Sequence, residues 1–447
     1  MNYLKITLLL FFILLPISRS NAVSIIRDGE IEELLWELTR PIIKEAGLEE
    51  KAIKIYIVND RAINAFVSKG QNIFINTGLI TKYNDPNVLR GVLAHEIGHI
   101  AAGHLARGKE EIKKAQNVMM LTYIAGIISA ASSGSDAGYA MLMGGNQIAH
   151  RLFLKYNRSQ EEVADILALE YLKNINYNPM GLLEILKFFK SQTIGEEILD
   201  EYALTHPVSQ KRINFIKANL KNFSKSSYSK ILTKQDLKMR RVVAKLKGFL
   251  DDAKITIQET DKKNDFNNLY RRSIALFKSG QIKKSFNIID NLLSKNPKDA
   301  YLLELKAQFL YESGDLKNAV IFYKKSLDIK ENNFLARIIF AKSILDLDSK
   351  DNDLIKIAIK NLKSVIKQEK DNIQIYKILS QAYEKIDDMA RYNLSLAEYY
   401  LLKEEVDDAK KYAKKAKEIF YKDNKQEILR ADDIIELAKN IKKDVNK

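Results

Sequence analysis

Residues 91–103 read Gly91-Val92-Leu93-Ala94-His95-Glu96-Ile97-Gly98-His99-Ile100-Ala101-Ala102-Gly103, and the rest of the chain is best read outward from them. On a helix His95 and His99, four residues apart, stand about one turn apart on the same side. Two neutral imidazole nitrogens in that arrangement can each approach a zinc ion at roughly 2.0–2.1 Å. Glu96 lies about 100° round the helix from His95 and can reach a water beside the ion without binding the ion itself. The flanking residues are apolar or small, so the helix is expected to be buried. A buried His-Glu-x-x-His with nothing to bind would be costly.

A catalytic zinc needs a third protein ligand and an open position. The metzincin arrangement would put glycine at 102 and histidine at 105; the chain has Ala102 and Leu105, which excludes it. His104 is five residues beyond His99, some 140° round a continuing helix, and reads as structural or surface. The third ligand is therefore expected to be a downstream carboxylate on another helix. Residues 157–165, Asn157-Arg158-Ser159-Gln160-Glu161-Glu162-Val163-Ala164-Asp165, place Glu161 and Asp165 four apart on one face. Glu161 is the candidate zinc ligand, and Asp165 the candidate hydrogen-bond acceptor for a ligating histidine. Ala164 would permit close packing, and Glu162 points elsewhere.

Composition narrows the chemistry further. The 447 residues contain no cysteine, which excludes disulfides, thiol nucleophiles, cysteine-held zinc and iron–sulfur clusters. All five histidines lie between residues 95 and 206. The formal charge is +15, yet residues 23–220 hold 22 basic and 23 acidic side chains, so the excess belongs to the rest of the chain. There lysines alternate with acids at helical spacing, as on solvated helix faces, and no nucleic-acid partner is expected. No G-x-S-x-G elbow, phosphate-binding loop or dinucleotide fingerprint occurs.

Four segments follow. Residues 1–22 read as a signal peptide, with Lys5 in the basic region, an apolar run from Ile6 to Ile17, and cleavage near Ala22. Residues 23–220 form the candidate zinc domain, 221–260 a connecting helical segment, and 261–447 a repeat domain with a C-terminal capping helix. Within the first domain Ile31 to Ala46 has helical periodicity and residues 53–58 alternate like a strand. Asn64-Ala65-Phe66-Val67 and Ile73-Phe74-Ile75-Asn76 flank a turn at residues 69–72, as in a hairpin. Asp85 or Asn84 is a candidate cap for a helix opening at Pro86. The apolar stretch from Val118 to Ala131 is too short for a confident span and reads as a hinged lid; His150 reads as structural or lid-associated. In the last segment Gly280 and Gly314 are 34 residues apart, the period of tetratricopeptide helix pairs. Ala307, Ala319, Tyr323 and Ser326 fall at matching offsets, and an insertion is expected near Ser349. The fold class expected is α+β and mostly helical: a zincin-like metallopeptidase domain with a small β-sheet, then an α-solenoid of tetratricopeptide-like repeats.

His95-Glu96-Ile97-Gly98-His99 with Arg158-x-x-Glu161-x-x-Ala164-Asp165 resembles the HExxH gluzincin peptidases that include the HtpX-like and CAAX prenyl protease enzymes. Asn64-Ala65-Phe66 before the hairpin, Thr77-Gly78-Leu79 after it, and Thr205-His206-Pro207 with Arg212-Ile213 fit the same family. Asn157 departs from it, standing where serine usually precedes the arginine. The signal peptide and repeats place the chain nearest the family's periplasmic branch. The resemblance implies one Zn2+ per chain held by His95, His99 and Glu161, and a substrate edge strand at Asn64, Ala65 and Phe66. It implies that His206 is either a fourth, regulatory ligand or an oxyanion donor, against the alternative of a packing histidine. Arg212 is a second candidate to steady the oxyanion.

The activity so implied is hydrolysis of peptide bonds in misfolded or stalled envelope proteins, with Glu96 as general base. The expected partners are unfolded or misassembled polypeptides and, through the repeats, outer-membrane protein assembly machinery, with peripheral membrane contact left open. The competing expectation is a chaperone or adaptor scaffold whose metal site is latent or structural.

Overall fold

A computed structural model describes residues 24–68, 71–104, 158–192, 206, 208–220, 234–347, 351–420 and 424–445. The signal segment, the stretch from Val118 to Ala131, His150, Asn157, Thr205, Pro207 and the insertion near Ser349 lie outside the described residues. The described residues of Met1–Arg27 and Trp36–Ile231 form one compact unit, and those of Asp28–Leu35 and Leu232–Lys447 form another.

In the first unit four strands make a mixed sheet in the order β1-β2-β4-β3: β1 (Ile25–Ile26), β2 (Lys54–Val58), β3 (Ala65–Ser68) and β4 (Asn72–Asn76). β3 and β4 pair antiparallel, as the expected hairpin requires, while β2 and β4 run parallel. Alternation along the strands sorts the side chains by face. Ile57, Ile75 and Ala65 are in register and buried on the core side, with Ile73 beside them. Tyr56, Phe74 and Phe66 are in register on the other face, half-buried, and stack with ring centroids 5.1 and 5.0 Å apart.

Helix α1 (Gly29–Glu45) precedes β2, and α2 (Thr77–Lys82) follows directly on β4. Helix α3 (Pro86–Ala101) carries the histidine motif. Its start is fixed as the sequence suggests: the Asp85 side chain accepts from Asn87 N at 2.8 Å, and Pro86 fills a first-turn position that has no bonding partner to lose. Nearly every residue of α3 is buried, so two faces of it must be packed by other helices. Helix α4 (residues 158–174) comes so close that a β-carbon at Gly98 would lie 2.9 Å from the Ala164 carbonyl oxygen. Helices α5 (Met180–Gln192) and α6 (Gln210–Leu220) complete the described part of this unit.

The second unit is a run of helices: α7 (Lys234–Leu250), α8 (Ala253–Thr260), α9 (Phe266–Lys278), α10 (Ile282–Lys295), α11 (Ala300–Glu312), α12 (Leu316–Ile329), α13 (Phe334–Asp346), α14 (Asn352–Val365), α15 (Ile373–Lys385), α16 (Met389–Leu402), α17 (Val406–Ile419) and α18 (Lys425–Val445). Gly280 and Gly314 turn the chain between paired helices at φ +77° and +84°. Ala307 and Ala319 are fully buried where paired helices meet, and Ser326 Oγ donates to Ala300 O at 2.8 Å. Asp265, Asp299, Asp315, Asn333, Asp351, Asn372 and Asp388 each cap a helix with a side-chain oxygen. These are tetratricopeptide-like pairs, stacked so that each buries its neighbour's apolar face.

The same unit buries charge. Lys245, almost inaccessible, lies 2.6 Å from an Asp28 oxygen and 3.3 Å from one of Glu30. Arg241 pairs with Glu30 and Asp299, and the Tyr270 hydroxyl donates to Glu30 Oε2 at 3.0 Å. Among the described residues no helix is long and apolar enough to cross a membrane.

Candidate metal centre

His95, His99, Glu161 and His206 bring one donor atom each into a group whose members all lie within 4.8 Å of one another, and all four residues are buried. His95 and His99 come from adjacent turns of α3 with their Nε2 atoms 3.1 Å apart. Glu161, from the first turns of α4, places Oε1 3.2 Å from His99 Nε2 and Oε2 3.3 Å from His95 Nε2. His206, outside any helix, sets Nδ1 3.0 Å from Glu161 Oε1 and 3.4 Å from His95 Nε2.

These spacings test whether an ion fits. Four ligands at about 2.0–2.1 Å from a tetrahedral ion are separated by roughly 3.3–3.4 Å. The observed separations cluster around that value, and three imidazoles with one carboxylate are a donor set suited to such an ion. Among the described residues Glu96, fully buried, has both carboxylate oxygens without a hydrogen-bond partner. Its Oε1 lies 3.6 Å from His206 Nε2. An orphaned buried carboxylate beside four converging donors is what a site built around an ion and its water leaves when the protein stands alone.

The surrounding residues hold the donors in place. Asp165 Oδ1 lies 3.0 Å from His95 Nδ1, which directs the His95 Nε2 lone pair into the group. Arg212, itself buried, reaches both acids of α4: Nη1 is 2.7 Å from Glu161 Oε2, while Nε and Nη2 donate to the two Asp165 oxygens at 2.6 and 2.9 Å. His104 Nδ1 lies 2.9 Å from His99 Nδ1, and both rings are buried. A His99 that offers its Nε2 lone pair to an ion carries its proton on Nδ1 and donates it to His104.

The electrostatics follow from that packing. Burial works against a charged His95, but Asp165 and Glu161 outweigh it and push its pKa up to about 10. Burial draws His99 down to about 3, against the opposing pull of Glu161. Burial also raises the Glu96 carboxyl, with His206 and His95 opposing. For Glu161 burial is overcome by His206 and His95, and for Asp165 by Arg212, so both stay below the usual carboxylate range.

Every residue singled out for zinc, His95, His99, Glu161 and His206, is in this group, with Glu96 and Asp165 against it. Arg212 is brought to the acids of α4. Ala65 and Phe66 lie on β3, one of the sheet's two edge strands among the described residues, and Asn64 just before it, where Asn64 O accepts from Asn76 N at 3.0 Å. His104, which the sequence reads as structural or surface, is buried against His99. Extrapolating α3 sends it away from His99, but the helix ends at Ala101 and Gly103 adopts φ +66°, which turns the chain back. A glycine just past the helix end was the available signal.

A buried His-Glu-x-x-His helix faced by a glutamate from a second helix defines a metallopeptidase of the gluzincin kind. Comparison with known proteins agrees with that class: residues 27–220 match the description Peptidase family M48. Residues 278–354 match the family of anaphase-promoting complex, cyclosome, subunit 3. The beta-barrel assembly-enhancing protease of Yersinia pestis is 23% identical over 69% of this chain and 64% of its own length. Its Escherichia coli (strain K12) counterpart is 23% identical over 43% of this chain and 39% of its own. The mitochondrial metalloendopeptidase OMA1 of Schizosaccharomyces pombe is 28% identical over 39% of this chain and 49% of its own. The chain therefore spans less than two thirds of the length of these relatives.

Proposed function

We propose that this chain is an exported zinc endopeptidase that hydrolyses peptide bonds of misfolded or stalled envelope proteins, one Zn2+ per chain. The observation that carries the reading is the orphaned Glu96 carboxylate beside four converging donors. His95, His99 and Glu161 would hold the ion, with His206 as a fourth donor. A zinc ion there supplies Lewis-acid polarisation of a peptide carbonyl and of a water. Glu96, in reach of the group but not part of it, accepts a proton from the attacking water on a carboxylate oxygen and delivers it to the leaving amine nitrogen. His206 would either complete the ion's ligand set and keep the site latent or, off the ion, donate to the developing oxyanion. Arg212, committed to Glu161 and Asp165, acts by holding both acids. An extended substrate adds along the outer side of β3, at Asn64, Ala65 and Phe66.

The peptidase domain is taken as residues 23–220, the connecting segment as 221–260 and the repeat domain as 261–447. The printed names of the relatives support a place in β-barrel assembly; to that the proposal adds a periplasmic location, removal of residues 1–22 near Ala22 and engagement of assembly machinery by the repeats. One observation favours a second reading. Four buried protein donors make a closed set, as structural metal sites do, and a permanently closed site would leave a scaffold or chaperone.

Elemental analysis of residues 23–447 beside a His95→Ala variant tests the first reading. About one zinc per chain, lost in the variant, supports it. No zinc after purification without chelators, and none on reconstitution, overturns it. His206→Ala separates the two readings: faster turnover of an unfolded polypeptide marks a latent peptidase, and zinc binding without turnover in either form marks the scaffold.

A further inference from the structure

The segment Asp28–Leu35 belongs with the repeat unit, although the residues on either side of it in sequence do not. Its acids are gripped by side chains of α7, α9, α11 and the turn after α12, 205 or more positions further along the chain. Asp28 Oδ1 accepts from Glu30 N and Ile31 N, both at 3.0 Å, and so opens α1, while its other oxygen lies 2.6 Å from Lys245 Nζ. Glu30 pairs with Arg241 and Lys245 and accepts from the Tyr270 hydroxyl at 3.0 Å. Glu33 accepts from the Tyr301 hydroxyl at 2.7 Å and from Lys238 Nζ at 3.0 Å, and it pairs with Lys330. Those bonds outweigh burial and hold the Glu33 carboxyl down at about 2.

The position between the first two acids is read as well. A β-carbon at Gly29 would lie 2.7 Å from Asn333 Oδ1. Asn333 has no freedom to step aside: Oδ1 accepts from Ala336 N to cap α13, Nδ2 donates to Glu304, and the residue is buried. The Tyr301 hydroxyl also lies 3.2 Å from the Gly29 carbonyl oxygen. Without the segment Arg241 keeps Asp299, but the buried Lys245 loses both of its ion-pair partners and the Tyr270 hydroxyl its acceptor. A buried ammonium without a partner is costly, so the site demands an acid. Cohesion does not explain the charges, because well-packed apolar groups in place of buried ion pairs are often as stable. What the charges do is specify the occupant. That occupant is the first turn of α1, and helix ends open most readily.

We propose that Arg241, Lys245, Tyr270, Tyr301, Lys330 and Asn333 form a receptor for an acidic helix start, read as Asp-Gly-Glu-x-x-Glu. Residues 28–33 fill it in cis, and an acidic polypeptide partner with the same spacing competes for it. The tethered segment acts as a resident competitor at an effective concentration on the order of millimolar.

The test compares the mature chain, residues 23–447, with a Glu30→Ala, Glu33→Ala double variant. A fluorescein-labelled peptide of residues 27–35 is titrated into each by fluorescence anisotropy. The double variant is expected to bind it about tenfold or more tighter than the parent, whose own segment competes. The peptide with Gly29→Ala, or with Glu30→Gln and Glu33→Gln together, should bind the double variant about tenfold or more weakly, and adding Lys245→Met to the chain should weaken the unaltered peptide by a similar factor. Should the double variant fail to fold, as judged by helical circular dichroism, Gly29→Ala in the full chain replaces it. That variant keeps every acid but crowds Asn333, and it should bind the peptide more tightly than the parent does. Binding that is absent from the opened chains, equal in parent and opened chain, equal for the glutamate and glutamine peptides, or unchanged by Lys245→Met overturns the proposal. None of these measurements uses zinc or hydrolysis, so failure of the peptidase reading leaves the receptor standing.

Discussion

At the scale of the residue, Glu96 separates binding an ion from using it. Among the described residues its oxygens have no hydrogen-bond partner and it is not among the four donors, so Glu96→Gln should leave the metal content unchanged. Hydrolysis of an unfolded polypeptide should fall by about 10²–10⁴-fold, the range associated with losing a general base; equal loss of metal would place Glu96 among the ligands instead. Arg212 and His104 act one step further out. Arg212→Gln leaves the Glu161 and Asp165 carboxylates without their shared cation, and His104→Leu removes the acceptor for the His99 Nδ1 proton. Each should weaken zinc about 10–100-fold in competition with a chelator, while His104→Asn, which keeps a polar partner, recovers part of the loss. Helical spacing puts His95 with His99 and Glu161 with Asp165 on one face each, and the resemblance of the two motifs to a known family pointed the second pair at the first. Arg212's contacts were not legible, since nothing in a sequence says that residue 212 returns to residues 161 and 165. His104 was hidden by the turn at Gly103.

Between elements, the decisive contact is that of α3 with α4. The two histidines and Glu161 meet because Gly98 lets the helices approach until only a hydrogen fits between it and the Ala164 carbonyl. A methyl group at 98 must push α4 outward, and α4 carries both Glu161 and Asp165. Gly98→Ala should therefore cost about 1–3 kcal/mol of stability, as overpacking does, and lower zinc occupancy measured after dialysis against dilute chelator. Full occupancy with an unchanged melting temperature would show that α4 can yield without moving its acids. The elements themselves were largely readable. The cap at Asp85, the hairpin of β3 and β4 and the 34-residue step from Gly280 to Gly314 all follow local rules of hydrogen bonding and turn conformation. What was not readable is the allegiance of Asp28–Leu35, which belongs with the repeats. Its acids look like a solvated helix face, yet Glu30 is buried against Arg241, Lys245 and Tyr270.

Across the whole molecule, the formal charge of +15 gives no hint that the repeat unit encloses a nest of carboxylates. Glu304 is part of it. Burial pushes its carboxyl up from the ordinary 4.5 to about 7, Asp28 and Glu30 adding to the rise while Lys245 and a hydrogen bond from Asn333 Nδ2 at 2.7 Å oppose it. The folded chain therefore binds this proton more tightly than the unfolded chain does. Between pH 4.5 and 7 the folded state holds more protons, so stability falls as pH rises through that window, and above pH 7 the penalty is complete. Its size is on the order of 3 kcal/mol. Glu304→Gln keeps an oxygen for Asn333 and removes the titration. The variant should melt at nearly the same temperature as the parent at pH 4.5 and at a higher one at pH 8, the gap opening progressively between, as followed by helical circular dichroism. A gap independent of pH would mean that Glu304 stays ionised throughout, its charge already balanced by Lys245, and that the substitution acts through packing alone.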